Sequence, residues 1–310
     1  MRIIFFGSDD FAGTHLRELI HSRHEVLCCV TQPDRPKGRG LKVAELPIKQ
    51  LAVEQNIPVY QPEALQAKDF IEHMQKLQSD IFVVVAFGKI LPEEILNIPK
   101  LFCVNVHGSL LPKYRGASPI HWAVLSGDEK TGVTIIKMNA IMDAGDIIAQ
   151  AELNIDEHIT AVELRQKMSF LGAELLVRTL NDIEQGNYTL TKQMLDQVTY
   201  APKLTKELGH IHWEQPAREI HNLVRGLQPW PGAYTYIQGK AVKILETAVV
   251  DLEEKSFQNG EITKIDKEGF VVAASKCGLL IKKIHPESAK PMHAKSFAVG
   301  HRLSIGTKLG

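Results

Sequence analysis

The sequence predicts a doubly wound α/β domain followed by a small antiparallel barrel or sheet. The first half alternates short apolar runs with amphipathic stretches, which is the pattern of a parallel sheet covered by helices. From Tyr234 onward the pattern changes to short apolar runs separated by glycines and charged turns, as in an antiparallel β domain. At 310 residues the chain is also long enough for two domains.

Each element follows from its local pattern. Apolar runs predict strands at 2–6, 26–31, 81–86, 102–106, 131–138 and 147–155. Helical spacing of apolar residues predicts helices at 11–22, 47–55, 64–78, 160–184 and 216–227. Residues 187–207 lack a clear period and are expected to form a linker along the surface. Because doubly wound sheets place their sites at the carboxyl ends of strands, the polar residues that follow each run are the first candidates for chemistry.

The composition is that of an ordinary folded protein, with 44% hydrophobic and 23% charged residues. No apolar run approaches the roughly 20 residues of a membrane span, and the first six residues are too few for a signal peptide. We therefore expect a cytoplasmic protein. Four cysteines without CxxC spacing predict buried thiols rather than a disulfide scaffold or a zinc site. They are Cys28, Cys29, Cys103 and Cys277.

Charge is distributed unevenly although the net charge is zero. From Leu208 onward there are 14 Lys and Arg against 10 Asp and Glu, and within 264–310 there are nine against three. Such a basic end can attract a polyanion, and a merely solvated surface would carry the same charges.

The segment 105–119, NVHGSLLPKYRGASP, carries the strongest chemical signal. Asn105 and His107 alternate along a predicted strand and therefore project from the same face. Asp143 lies in a glycine-containing turn between two predicted strands and could approach His107. Acyl transfer to an amine needs a donor for the oxyanion and a base for the ammonium proton, which these three residue types supply. A histidine that only caps a loop and an aspartate that only forms a turn remain the alternatives.

Other kinds of chemistry find less support. No cysteine or serine lies in an obvious nucleophile elbow, and the histidines lack metal-ligand spacing, so direct transfer without a metal is expected. The FFGSDDFAG turn lacks the middle glycine of GxGxxG, so a dinucleotide site is not expected.

The segment 105–119 together with the later DAGD resembles the signature of the 10-formyltetrahydrofolate-dependent formyltransferases. The resemblance implies a Rossmann-like formyltransferase domain and assigns catalysis to Asn105, His107 and Asp143. It also implies folate-binding and pterin-pocket residues, namely Ser109, Leu110, Leu111, Pro112, Phe87 and Gly88.

The segment 31–40, TQPDRPKGRG, is similar to the loop that methionyl-tRNA formyltransferases insert after the second strand to meet the acceptor stem. Its cations would contact tRNA phosphates. They are Arg35, Lys37, Arg39 and Lys42. A mobile solvated loop is the alternative. The stretch KVAEL departs from the more basic, Pro- and Ser-containing stretch that the family often carries there, which leaves the contacts of residues 42–46 open.

The resemblance spans essentially the whole chain. It implies a catalytic domain at 1–189, a linker at 190–207 and an OB-like tRNA-binding barrel at 208–310. It implies formyl transfer from 10-formyltetrahydrofolate, as co-substrate, to the α-amine of methionyl initiator tRNA for translation initiation. We also expect a monomer that needs no metal. The rival hypotheses are a formyltransferase acting on a sugar nucleotide, a folate hydrolase of the same fold, and a catalytically silent RNA-binding protein.

Overall fold

The computed structural model describes residues 1–37, 42–252, 257–275 and 277–310. The chain divides into two compact units. The first comprises Met1–Pro119, Lys130–Asn154 and Arg165–Ala201. The second comprises Ile120–Glu129, Ile155–Leu164 and Pro202–Gly310. The units interleave along the chain, and the boundaries at 189 and 208 stay a prediction.

The helices are α1 (Asp10–His21), α2 (Pro47–Glu54), α3 (Lys68–Lys76), α4 (Glu93–Leu96), α5 (Pro119–Leu125), α6 (Ala161–Gln185), α7 (Ala217–Gly226) and α8 (Ala294–Gly300). The strands up to the end of the first unit are β1 (Arg2–Gly7), β2 (Glu25–Val30), β3 (Arg35–Lys37), β4 (Lys42–Ala44), β5 (Val59–Tyr60), β6 (Ile81–Val85), β7 (Phe102–His107), β8 (Arg115–Gly116), β9 (Lys130–Lys137), β10 (Ile147–Asn154) and β11 (Tyr200–Ala201). The remaining strands are β12 (Tyr234–Ile237), β13 (Lys240–Val250), β14 (Ile262–Ile265), β15 (Phe270–Ala274), β16 (Cys277–Pro286) and β17 (Met292–His293). Two single 3₁₀ turns lie at Leu195–Gln197 and Glu207–Gly209.

The first unit is built on a seven-stranded sheet with the order β10-β9-β7-β6-β1-β2-β5. Five neighbouring strands run parallel, namely β7, β6, β1, β2 and β5. Strand β9 pairs antiparallel with β7, and β10 pairs antiparallel with β9. The central strands are buried on both faces, and every residue of β6 is buried. This burial is why they appear in the sequence as continuous apolar runs. The predicted mostly parallel, Rossmann-like sheet is confirmed.

Helix α1 begins where a side chain can satisfy its first free amide. Asp9 precedes the helix in an extended conformation, and its carboxylate accepts a hydrogen bond from Ala12 N at 3.1 Å. The apolar face of α1 buries Phe11, Leu16 and Leu19 in the first unit. The cap therefore fixes the turn between β1 and the helix.

The second unit contains an antiparallel sheet with the order β12-β13-β16-β15-β14, and β17 pairs with β16. Within the described residues β12 and β14 do not pair with each other, so the sheet is an open half-barrel. Helix α7 packs Ile220 and Val224 into the same core as the sheet residues Ile244 and Phe270. The predicted C-terminal barrel-type domain is confirmed in this form.

Buried polar side chains attach the segment 155–160 to helix α7. His221 Nε2 donates to the Glu157 carbonyl oxygen at 3.1 Å, and its Nδ1 lies 2.9 Å from the Thr247 hydroxyl. Arg225 donates to the carbonyl oxygens of Asp156 and Ile159 at 3.2 and 3.1 Å. Burial lowers the pKa of His221. These bonds explain why a segment from the middle of the chain belongs to the second unit.

The cysteines match their prediction in part. Cys28, Cys29 and Cys103 are buried, whereas Cys277 is partly exposed. Burial raises the pKa of Cys28 and of Cys29 to about 12, so neither is a thiolate at neutral pH. Among the described residues, no helix is both long and apolar enough to cross a membrane.

His15 is a fully buried imidazole inside the first unit. Its Nδ1 donates to the Phe11 carbonyl oxygen at 2.7 Å. Its Nε2 has no hydrogen-bond partner among the described residues, and it faces Gly172, where a Cβ would lie 2.7 Å from it. A second proton on this ring would be buried without an acceptor. Burial therefore lowers the pKa of His15 to about 4.

This lowered pKa predicts a pH-dependent loss of stability. Between pH 6.5 and 4 the unfolded chain binds the His15 proton and the folded chain does not, so stability falls as the pH falls through this window. We expect wild type to lose about 2 kcal/mol more than His15→Leu when the pH drops from 7.5 to 5. Urea unfolding of both proteins at the two pH values measures the difference. Parallel losses in the two proteins would contradict the assignment.

Candidate active site

Asn105 and His107 lie at the carboxyl end of β7, in the middle of the first unit's sheet. Both project from the same face of the strand because they are two residues apart. His107 is 5% exposed and Asn105 is half-buried. Within the described part of the chain, the Asn105 amide makes no side-chain hydrogen bond. It is therefore free to donate to a substrate.

The His107 ring lies between two oxygen acceptors. Its Nε2 is 2.9 Å from the Tyr114 carbonyl oxygen, which can only accept, so Nε2 carries a hydrogen and donates it. Its Nδ1 is 3.6 Å from Asp143 Oδ1, and the two side chains are 6% and 12% exposed. This distance is too long for a direct hydrogen bond, but it places the carboxylate where it can attract the imidazole when the ring is protonated. The structure thus places the Asp143 carboxylate next to the His107 imidazole, an approach that the sequence analysis considered possible.

Asp143 approaches His107 from an unusual backbone conformation. Its φ is +54°, in the left-handed region that residues other than glycine seldom adopt. Its other carboxylate oxygen, Oδ2, accepts a hydrogen bond from Gly116 N at 2.8 Å. Gly116 has a φ of +121°, and a Cβ there would lie 2.8 Å from the Ala201 carbonyl oxygen, so the close approach requires glycine.

The segment 109–112 is held to the sheet by one buried hydroxyl. Thr134 on β9 donates to the Ser109 carbonyl oxygen at 2.6 Å and accepts from Leu111 N at 3.0 Å. It also accepts from Gln150 Nε2 at 2.9 Å, and Gln150 Nε2 donates as well to the Leu111 carbonyl oxygen at 2.9 Å. Thr134 thereby uses its one donor and both lone pairs.

The side chains of 109–112 differ in what they can offer a ligand. The Ser109 hydroxyl is buried and donates to the Lys113 carbonyl oxygen at 2.6 Å. Leu111 is also buried, whereas Leu110 and Pro112 are partly exposed. Leu110 and Pro112 are therefore the side chains of this segment that can contact a bound molecule. The buried side chains of Ser109 and Leu111 instead help to fix the conformation of the segment.

The carboxyl end of β6 forms the neighbouring edge, since β6 pairs with β7. The Phe87 ring is buried against Phe6, with ring centroids 5.4 Å apart. Its carbonyl oxygen accepts from Gln32 Nε2 at 2.7 Å and from Ser8 Oγ at 3.3 Å. Gly88 is exposed with a φ of +75°, and a Cβ there would clash with the Gln32 amide. This edge therefore presents backbone rather than the Phe87 ring.

The predicted tRNA loop follows β2 and contains an antiparallel hairpin of β3 and β4. The base of this hairpin is clamped by Asp34, whose Oδ2 accepts from Lys49 Nζ at 2.5 Å. The hydrogen bond from Lys49 lowers the pKa of Asp34. The predicted tRNA-binding residue Arg39 lies outside the described residues. The same holds for the side chains of Arg35, Lys37 and Lys42.

Several residues around the site were missed by sequence reasoning. Gln193 hydrogen-bonds the Asp143 turn, and Arg115 hydrogen-bonds Gln193. Thr199 O accepts from Arg115 N at 2.9 Å, and its hydroxyl accepts from Tyr114 N at 2.9 Å. Residues 191–201 thus run through the site region of the first unit. Their only sequence signal is the β-type TYA triplet, 199–201, because the segment otherwise lacks periodicity.

No group of three or more His, Cys, Asp or Glu side chains that could hold a metal ion occurs in the described ranges. The arrangement that is present offers a free amide, an imidazole and a carboxylate. These groups can polarise a carbonyl and accept a proton.

Two family models match the chain. The model described as formyl transferase matches residues 1–180, and the model described as formyl transferase, C-terminal domain, matches residues 203–302. Together they cover both halves of the sequence.

Curated relatives match over full length. A methionyl-tRNA formyltransferase from Clostridioides difficile is 48% identical, and one from Acetivibrio thermocellus is 45% identical, each over 100% of both chains. The structure of an N-formyltransferase from Helicobacter canadensis, solved with folinic acid and dTDP-3-aminofucose, is 20% identical with a TM-score of 0.65. That match covers 90% of this chain and 98% of the other, and it shows a shared fold. By its full-length identity to these relatives, the chain belongs to the methionyl-tRNA formyltransferase family.

Proposed function

We propose that the protein transfers the formyl group of 10-formyltetrahydrofolate to the α-amine of methionyl initiator tRNA, giving N-formylmethionyl-tRNA. The observation that carries the proposal is the shielded pair of His107 Nδ1 and Asp143 Oδ1, 3.6 Å apart beside the free Asn105 amide. The names of the full-length relatives support the tRNA acceptor.

The chemistry assigns one task to each of the three side chains. The methionyl amine attacks the formyl carbon, and negative charge develops on the formyl oxygen. Asn105 donates to that oxygen, since its amide makes no side-chain hydrogen bond within the ranges that the structure describes. His107 keeps its Nε2 hydrogen on the Tyr114 carbonyl oxygen and its Nδ1 toward Asp143, so in its protonated form it stabilises the oxyanion by its positive charge.

Asp143 handles the proton that the attacking amine must lose. Its carboxylate stabilises the imidazolium and accepts the proton directly or through a water. The hydrogen bond from Gly116 N goes to Oδ2 and holds the carboxylate in place. Oδ1 therefore stays available for this task. The bond between the formyl carbon and folate N10 then breaks, N10 takes up the proton that Asp143 accepted from the amine, and the formyl group stays on the methionine nitrogen.

The folate donor is assigned to the edge formed by the ends of β6 and β7. A flat pterin suits the exposed backbone at Gly88 and the partly exposed side chains of Leu110 and Pro112, because it needs apolar contact and backbone hydrogen bonds. The Helicobacter canadensis protein of this fold holds folinic acid, a folate.

The tRNA is assigned to the clamped hairpin and to the basic surface of the second unit. In the range 264–310 the structure describes seven exposed cationic side chains, which can contact phosphates. They are Lys264, Lys267, Lys283, Lys290, Lys295, Arg302 and Lys308. We propose that the protein acts as a monomer in which both units meet one tRNA.

The direct test incubates purified protein with 10-formyltetrahydrofolate and methionyl-charged initiator tRNA. Uncharged tRNA and an amino-sugar nucleotide serve as controls. Formylated product on charged tRNA alone is the expected result. Formylated sugar instead would transfer the acceptor assignment to a sugar nucleotide, and free formate alone would favour a hydrolase.

Thr134→Val tests the folate assignment because valine keeps the shape of threonine and removes its hydroxyl. The change leaves Leu111 N and the Ser109 carbonyl oxygen without their partner. We expect a loss of about 1–3 kcal/mol in the free energy of unfolding and a higher KM for 10-formyltetrahydrofolate. Thr131→Val on the same strand is the matched control, since the buried Thr131 hydroxyl has no partner among the described residues. Equal effects of the two changes would contradict the assignment.

Arg39→Ala tests the loop. Loss of one phosphate contact should raise the KM for charged tRNA and reduce the slope of log affinity against log salt by about one. The KM for the formyl donor should not change. Arg17→Ala removes an exposed arginine from α1 and serves as the control. Unchanged tRNA affinity and salt slope in Arg39→Ala would refute the assignment.

A further inference from the structure

Gln193 is a buried amide in an otherwise exposed segment. It is 9% exposed, whereas its neighbours Lys192 and Met194 are exposed. Both ends of its side chain are engaged. Its Oε1 accepts from Arg115 Nε at 3.0 Å and from Arg115 Nη2 at 2.7 Å. Its Nε2 donates to the carbonyl oxygens of Asp143 and Gly145, each at 2.8 Å.

The chemistry of these partners permits only one orientation of the amide. A guanidinium can only donate, so Arg115 must face the oxygen of Gln193. A backbone carbonyl can only accept, so the Asp143 and Gly145 carbonyls must face the nitrogen. Arg115 is itself 7% exposed and lies on β8, which pairs with β11. The two charge-assisted bonds therefore set the direction in which Gln193 donates.

The turn that Gln193 holds contains a residue in an unfavourable backbone conformation. Asp143 has a left-handed φ of +54°. At Gly145 a Cβ would overlap the carbonyl oxygen of Lys137, so the backbone there packs tightly on β9. A non-glycine residue stays in the left-handed region only where surrounding bonds over-determine it. The two hydrogen bonds from Gln193 Nε2 supply such a constraint on both sides of Ala144.

The hydrogen bonds of Gln193 form a closed ring of contacts that includes the Asp143 carboxylate. Arg115 holds Gln193, Gln193 holds the Asp143 backbone, and the Asp143 carboxylate is bonded to Gly116 N, the residue after Arg115. The same carboxylate faces His107 Nδ1. Both contacts of the carboxylate therefore depend on the turn that Gln193 holds.

We propose that Gln193, oriented by Arg115, is a positioning residue that sets the Asp143 carboxylate against His107 for formyl transfer. The role in formyl transfer rests on the proposed function. The hold on Asp143 does not, because it can be measured without substrate.

Gln193→Glu is the discriminating variant. The new carboxylate keeps the size of the side chain and still accepts from Arg115, so the buried guanidinium stays paired. Its second oxygen, however, would face two carbonyl oxygens and could not donate to them. We expect kcat for formylation of charged tRNA to fall about a hundredfold, as for a small displacement of a catalytic group, with the KM of both substrates nearly unchanged.

Amide hydrogen exchange followed by NMR gives the local readout. The Gly116 amide donates to Asp143 Oδ2, whereas the Arg115 amide donates to the Thr199 carbonyl oxygen. In Gln193→Glu the exchange of Gly116 should accelerate about tenfold or more while that of Arg115 stays at the wild-type rate. Gln197→Glu, at an exposed position of the same segment, adds the same charge and should leave both exchange rates and kcat unchanged.

Unchanged Gly116 exchange or unchanged kcat in Gln193→Glu overturns the proposal. Equal acceleration at Arg115 and Gly116 also overturns it, because that pattern means general destabilisation. If Gln193→Glu does not fold, Gln193→Met, which has a similar length and no N–H donor, must show the same selective acceleration at Gly116. An inactive wild-type protein would count against the proposed function instead, and Gly116 exchange would still show whether Gln193 holds Asp143.

Discussion

The interaction on which the site depends is the contact of His107 Nδ1 with Asp143 Oδ1 at 3.6 Å. His107 comes from β7, inside the sheet, whereas Asp143 comes from the turn between β9 and the edge strand β10. The position of the imidazole therefore follows from the core, but that of the carboxylate must be fixed separately. Gly116 N fixes the carboxylate and Gln193 fixes the backbone of the turn. A site on a loop can be as well ordered as one on a strand when buried polar groups hold it in this way.

In the rest of the first unit, too, apolar burial positions the strands and polar hydrogen bonds position the loops. Apolar burial builds the parallel sheet and brings the carboxyl ends of β1, β2, β6 and β7 to one edge. Buried polar groups then shape the loops at that edge. Thr134 shapes the segment 109–112, Gln32 shapes the backbone at Phe87, and Asp34 clamps the basic hairpin. Gln32 and Asp34 lie beyond the end of β2, where the backbone no longer satisfies its own hydrogen bonds, whereas Thr134 reaches the segment 109–112 from within β9.

The sequence could predict the sheet because strands such as β6 are buried on both faces and leave a continuous apolar run. It could also place Asn105 and His107 on one face, since alternation along a strand is a local property. The partnership of Asp143 with His107 was only a possibility, because nothing local fixes the distance between two loops.

Gln193 and Arg115 were not predictable by the same means. Gln193 lies in a polar segment whose other residues are mostly exposed, and its burial depends on Arg115, which is 78 positions away in the sequence. The interleaving of the two units has a similar cause. The segment 155–160 joins the second unit through bonds to His221 and Arg225 that no local pattern indicates. The role of the basic loop stays a prediction, since the side chains concerned lie outside the described residues.

A double-mutant cycle on His107 and Asp143 tests the central claim most directly. Single-turnover formylation rates would be measured for wild type, His107→Ala, Asp143→Asn and the double variant, with exposed Asp196→Asn as the control. If the two side chains act as one unit, Asp143→Asn alone should slow transfer about a hundredfold, and the double variant should be little slower than the slower single variant. Fully additive losses, or full turnover by a folded Asp143→Asn variant, would contradict the account.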